Sequence, residues 1–90
     1  MEKAIKFKLT GRVQGVGMRV FIQDLAMRLD LIGYVRNHEN GFVEGVLMGE
    51  ESDSMLLLKE LERVKGPLFF KLETEEVIFQ PTSAVFEIRD

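Results

Sequence analysis

Nine consecutive residues carry most of the chemistry this chain offers: Gly11-Arg12-Val13-Gln14-Gly15-Val16-Gly17-Met18-Arg19. Glycines at 11, 15 and 17 make the stretch too glycine-rich for regular structure. Without a Cβ in the way, consecutive backbone N–H groups can curl around an oxyanion. The stretch sits between a predicted strand and the start of a predicted helix. The first N–H groups of a helix have no internal partner, and they carry a partial positive charge. Arg19 then places a planar guanidinium at the first helical turn, able to meet two oxygens of a phosphate at once. In principle this is a phosphate cradle. Taken alone, the same glycines also fit a tight turn, and the arginine a solvated helix start. Two common phosphate signatures are absent. A Walker loop starting at Gly11 needs a glycine where Val16 stands, followed by a lysine, and a dinucleotide fingerprint starting at Gly15 needs a small residue where Val20 stands. ATP and NAD are therefore disfavoured.

Other reactive groups are scarce. The 90 residues contain no cysteine and one histidine, His38. That removes a thiolate nucleophile, a thiolate zinc site and a disulfide scaffold. Ser52, Ser54 and Ser83 have no histidine signature of a triad nearby, and no His/Asp/Glu spacing reads as a metal site. Asn37, before a turn, reads on its own as a turn-entry residue. Residues 1–36 hold seven Lys/Arg against three acids, and residues 37–90 hold five against twelve, giving the overall −3. A nucleic-acid-binding domain is normally basic overall, so no nucleic-acid partner is expected. A small anion held in the basic first third remains open. No apolar run approaches the roughly 20 residues of a membrane span, and no signal-peptide core follows Met1, so a cytoplasmic protein without a membrane partner is expected.

These side chains need a scaffold, and periodicity supplies one. With 46% apolar residues the chain is one domain, residues 1–90. Ile5, Phe7 and Leu9 alternate with polar residues and predict a strand. Met18, Phe21, Ile22, Leu25, Ala26 and Leu29 fall on one face of a helix from about 19 to 29, leaving Val20 and Met27 outside. A strand from Gly33, a turn at His38-Glu39-Asn40-Gly41 with Asn-Gly taking the positive φ, and a return strand over 42–48 form a hairpin. Ser52 to Ser54 are expected to cap a second helix with Leu57, Leu58, Leu61 and Val64 inward, stopped by Gly66-Pro67. Strands over 68–77 and 85–89 follow. The order predicts an α+β, ferredoxin-like split βαβ fold, an antiparallel sheet with both helices on one face. That fold by itself says nothing of activity.

At this point a resemblance enters. The 11–19 loop, Ala26, Gly33-Tyr34-Val35-Arg36-Asn37, Gly41-Phe42-Val43-Glu44, Gly66-Pro67 and Phe86-Glu87-Ile88-Arg89 resemble the acylphosphatase family over nearly the whole chain. The resemblance implies hydrolysis of an acyl phosphate, a small-molecule substrate, to a carboxylate and inorganic phosphate, which would also inhibit as product. Carried over, Gln14, Gly15, Val16, Gly17 and Met18 bind the phosphate together with Arg19, and Asn37 positions the attacking water. No metal and no cofactor are expected, because a carboxylate leaves without a general acid and phosphoryl transfer needs mainly positioning and charge stabilisation. A monomer is expected. Three positions depart from the usual pattern: Met18 for a common Phe, Asp30 for a helix-ending Gly, which would strain that corner, and His38 after the asparagine. Two other readings stand beside this one. The first is a carbamoyl-phosphate-handling domain like those opening the larger hydrogenase-maturation proteins, against which the chain shows no attached catalytic domain. The second is a non-enzymatic ferredoxin-like module for RNA or a metabolite, opposed chiefly by the acidic charge balance and also by phenylalanines that read as core residues.

Overall fold

The computed structural model describes residues 2–15, 17–68 and 70–89, without the side chains of residues 2 and 65–68. The elements are β1 (Glu2–Gly11), α1 (Met18–Arg28), β2 (Ile32–Asn37), β3 (Val43–Met48), α2 (Glu51–Leu68), β4 (Phe70–Phe79) and β5 (Phe86–Arg89). They form one sheet in the order β4-β1-β3-β2-β5. Strands β1 and β2 both run antiparallel to β3, which lies between them, so β1 and β2 are parallel and α1 is their crossover. The same logic makes α2 the crossover between β3 and β4, which both pair antiparallel with β1. This is the expected ferredoxin-like fold with one addition: β5 pairs with β2 in parallel, so the sheet is not wholly antiparallel.

One face of the sheet builds the core. Phe7 and Leu9 of β1, Val35 of β2, Val43 and Leu47 of β3, and Phe86 of β5 pack with Ile22 and Ala26 of α1 and Leu57 and Leu61 of α2. On α1 the innermost stripe is Met18, Ile22 and Ala26, each four residues apart. Phe21 stands at the margin of that stripe and stays 36% exposed, less buried than its periodicity predicts. Val20 and Met27 face outward as expected.

The other face is not bare. Ala4, Val46 and Met48 are buried there beneath Ile32, Tyr34, Val77 and Phe79. Tyr34 and Phe79 meet ring to ring at 5.9 Å, and the Arg89 guanidinium lies 4.2 Å from the Tyr34 centroid. The sequence reading that commits most phenylalanines to the core therefore needs correction. Phe7, Phe70 and Phe86 are buried, whereas Phe42 and Phe79 are half-buried. A sheet with helices on one side only still gains by covering apolar surface on the other.

Several boundaries differ from the periodicity reading. Helix α2 starts at Glu51, so Ser52 and Ser54 lie inside its first turn instead of capping it, and Glu51 and Asp53 supply the acids there. It also runs past Gly66 and Pro67 to Leu68, and β4 accordingly begins at Phe70 and reaches Phe79. A proline removes one N–H from the ladder, and in a last turn little is left to interrupt. Asp30 takes φ 56°, the left-handed region. It closes α1 as a Schellman motif: Leu31 N–H donates to Ala26 O at 2.9 Å and Asp30 N–H to Met27 O at 3.2 Å. No helix among the described residues is long and apolar enough to cross a membrane.

Candidate active site

The site is built where β1 hands over to α1. Val13, 1% exposed, pins the loop into the core, and its N–H turns back to Gly11 O at 3.0 Å. Met18, 3% exposed, pins the far end. Between the anchors the chain is exposed at Gln14, Gly15 and Gly17. Gly15 and Gly17 adopt φ 79° and 75°. A Cβ on either would meet nothing within 4 Å, so the backbone angle, not crowding, calls for glycine. Val16 lies outside the described residues.

Gly17 is the N-cap of α1. It provides no side-chain cap, and the first turn holds no acid. Serine, aspartate or asparagine would normally satisfy one of the free N–H groups there. Arg19, half-buried, is the second residue of the helix. The junction thus joins a helix start with no side-chain cap among the described residues, two left-handed glycines and an arginine, an arrangement that favours an anion.

Asn37 reaches the same end of the sheet by register. It pairs with Val43 on β3, and Val43 pairs with Leu9 on β1, two residues before the loop begins at Gly11. Two strand spacings put Asn37 about 10 Å from Leu9. By strand alternation Asn37 shares the face of buried Val35, the face that carries α1. Among the described residues its carboxamide has no hydrogen-bond partner.

The hairpin after Asn37 closes with three loop residues. His38 N–H donates to Phe42 O at 2.7 Å and Gly41 N–H to His38 O at 2.9 Å. Positive φ falls on Gly41, at 97°, and not on Asn40. The Asn-Gly pair therefore serves a type I turn with a left-handed glycine, not the two-residue turn its sequence first brings to mind. Asn40 instead donates its N–H to His38 Nδ1 at 3.1 Å. The His38 ring stacks on Phe42 at 4.2 Å, and Lys8 Nζ lies 4.3 Å from the Phe42 centroid.

Arg36 lies opposite Glu44 across β2 and β3, with Nε buried and 3.6 Å from Glu44 Oε1. Gln14 sends its side chain away from the loop: Nε2 donates to His38 O at 2.7 Å and to Phe42 O at 3.1 Å. No spacing rule announces that contact, which spans 24 and 28 residues. Among the described residues no group of three or more His, Cys, Asp or Glu side chains is placed to hold a metal ion.

Fold and junction together define a ferredoxin-like domain with a glycine-rich, cationic opening at the end of its sheet. The acylphosphatase family profile matches residues 5–87. An acylphosphatase from Salinibacter ruber is 38% identical over 96% of this chain and 88% of its own length. One from Syntrophotalea carbinolica is 40% identical over 92% and 88%. The crystal structure of acylphosphatase from Bacillus subtilis superposes with a TM-score of 0.81 at 30% identity, covering 99% of this chain and all of that one. The crystal structure of T. kodakarensis HypF also superposes, with a TM-score of 0.83 at 31% identity, but this chain spans 12% of it. The chain belongs to the acylphosphatase family, enzymes that hydrolyse acyl phosphates.

Proposed function

We propose that this chain hydrolyses the carboxyl–phosphate bond of small acyl phosphates, with Arg19 and the backbone N–H groups of residues 14–18 holding the phosphate and Asn37 orienting water. The observation that carries the assignment is the uncapped, acid-free start of α1 behind Gly15 and Gly17, with Arg19 in its first turn and Asn37 at the same sheet end. In the reaction, water oxygen bonds to phosphorus while the bond to the acyl oxygen breaks. The carboxylate leaves with the bonding pair, and the water proton passes to a phosphate oxygen of the substrate. Arg19 and the loop amides stabilise charge on the oxygens that stay with phosphorus. The Asn37 side-chain oxygen accepts a hydrogen bond from the attacking water and fixes its approach.

Hydrolysis of benzoyl phosphate in EDTA, with inorganic phosphate as inhibitor, tests the scheme. Turnover that survives the chelator and competitive inhibition by phosphate are expected; loss of turnover in EDTA would overturn it. Asn37→Ala is expected to lower kcat with the phosphate inhibition constant nearly unchanged. Carbamoyl phosphate is the second reading, favoured by the likeness to one module of the much longer HypF chain. Parallel assays on carbamoyl and benzoyl phosphate separate the two. The net charge of −3 speaks against a nucleic-acid partner. We further propose a monomer acting in the cytoplasm, the first part of which light scattering checks.

A further inference from the structure

We infer that the Gln14 side chain is a positioning residue that clamps the phosphate loop to the hairpin bearing Asn37, and is not itself a phosphate ligand. The inference deepens the proposed function and rests on its assignment of the loop and of Asn37. Both hydrogen-bond donors that a carboxamide possesses are spent on one hairpin: Nε2 donates to His38 O at 2.7 Å and to Phe42 O at 3.1 Å. These are the two carbonyls that close the turn. Each already accepts a backbone N–H, from Gly41 and His38 respectively, and each uses its second lone pair on Gln14. The bonds therefore add to the hairpin and replace nothing within it. His38, which takes the shorter bond, directly follows Asn37.

Gln14 is anchored on its other side as well. It follows Val13, which is buried in the core, and precedes the left-handed Gly15. The side chain is thus a strut between the loop that takes the phosphate and the strand end that takes the water. Its own backbone N–H stays available to the anion. Few side chains could do this. Glutamate has the same length but would face two carbonyl oxygens with two acceptors, and asparagine is one methylene short. Catalysis by positioning is sensitive to such a strut, since a displacement of about 1 Å can cost on the order of 10²-fold in rate.

A double-mutant cycle on the full chain tests the inference, with kcat for benzoyl phosphate and the inhibition constant of inorganic phosphate measured for each variant. Gln14→Ala is expected to lower kcat roughly tenfold or more while the phosphate constant moves by less than about threefold. In the Asn37→Ala background the same change should cost less than about threefold in kcat, because the group it positions is gone. Equal losses in both backgrounds would overturn the clamp, as would a phosphate constant that rises as far as kcat falls. Full turnover by Asn37→Ala alone would overturn the water-orienting role, a result distinct from an additive cycle, which leaves that role standing. Should Gln14→Ala fail to fold, Gln14→Met keeps the stem and its length without the donors, and the same outcomes apply.

Discussion

The two strand-to-helix junctions of this sheet lie at opposite ends, because β1 and β3 are antiparallel, and they are finished in opposite ways. At the start of α2, Glu51 and Asp53 set negative charge against the helix's own positive end, and the Asp53 and Ser54 N–H groups turn back to Glu50 O at 3.0 and 3.1 Å. At the start of α1 there is no acid and no side-chain cap, a left-handed glycine precedes the helix, and Arg19 adds a further positive charge. The first junction satisfies its own electrostatics. The second sets no acid of its own first turn against the helix end. Favourable charge at a helix end is worth about 0.3–1 kcal/mol, so the open junction gives up stability of that order. An acid there would recover it and repel a phosphate.

The contrast can be broken at several points. Arg19→Ala should have the largest effect, lowering kcat/KM for an acyl phosphate by about 10²–10³ and weakening phosphate inhibition, as expected for a lost charge-stabilising donor. Steady-state kinetics with phosphate as inhibitor reads both. Next comes a change that makes α1 resemble α2. Val20 is 62% exposed in the first turn. Val20→Glu should raise the phosphate inhibition constant about two- to fivefold while thermal stability holds or rises, the sign the helix dipole requires. A fall in melting temperature with unchanged inhibition would erase the contrast. At the other end of α1, Asp30 occupies the left-handed closing position, which glycine tolerates better. Asp30→Gly should therefore stabilise by about 0.5–1 kcal/mol, read from denaturant unfolding, with turnover unchanged. The smallest effect belongs to the self-satisfied junction. Glu51→Gln with Asp53→Asn should cost about 0.3–1 kcal/mol of stability and leave kcat and KM as they are.

Much of this arrangement was legible in the residues, and the illegible part has a physical pattern. Alternation at Ile5, Phe7 and Leu9 revealed β1, and the four-residue spacing of Met18, Ile22 and Ala26 revealed the buried stripe of α1. The glycines and Arg19 marked the open junction because they act through local backbone geometry. What local rules could not show depends on which strand lies beside which. The parallel pairing of β5 with β2 is one case, and the burial of Val46 and Met48 on the second face is another. The half-buried Arg36 opposite Glu44 belongs here too, since its setting comes from register. Gln14 is the plainest instance: its type hinted at loop chemistry, while its direction depends on a hairpin more than twenty residues away.

Every residue of the candidate site falls within the first half of the chain, yet the element that spaces them does not carry one. Strands β1 and β2 are not paired with each other; β3 lies between them and sets the gap from the loop to Asn37. A refolding chain can therefore form α1 early and still turn over nothing until its middle strand has slotted in. In a stopped-flow experiment, recovered activity should trail the helical circular-dichroism signal and keep pace with the burial of Phe7 and Val43. The enzyme would then act as the gauge of its own completed sheet.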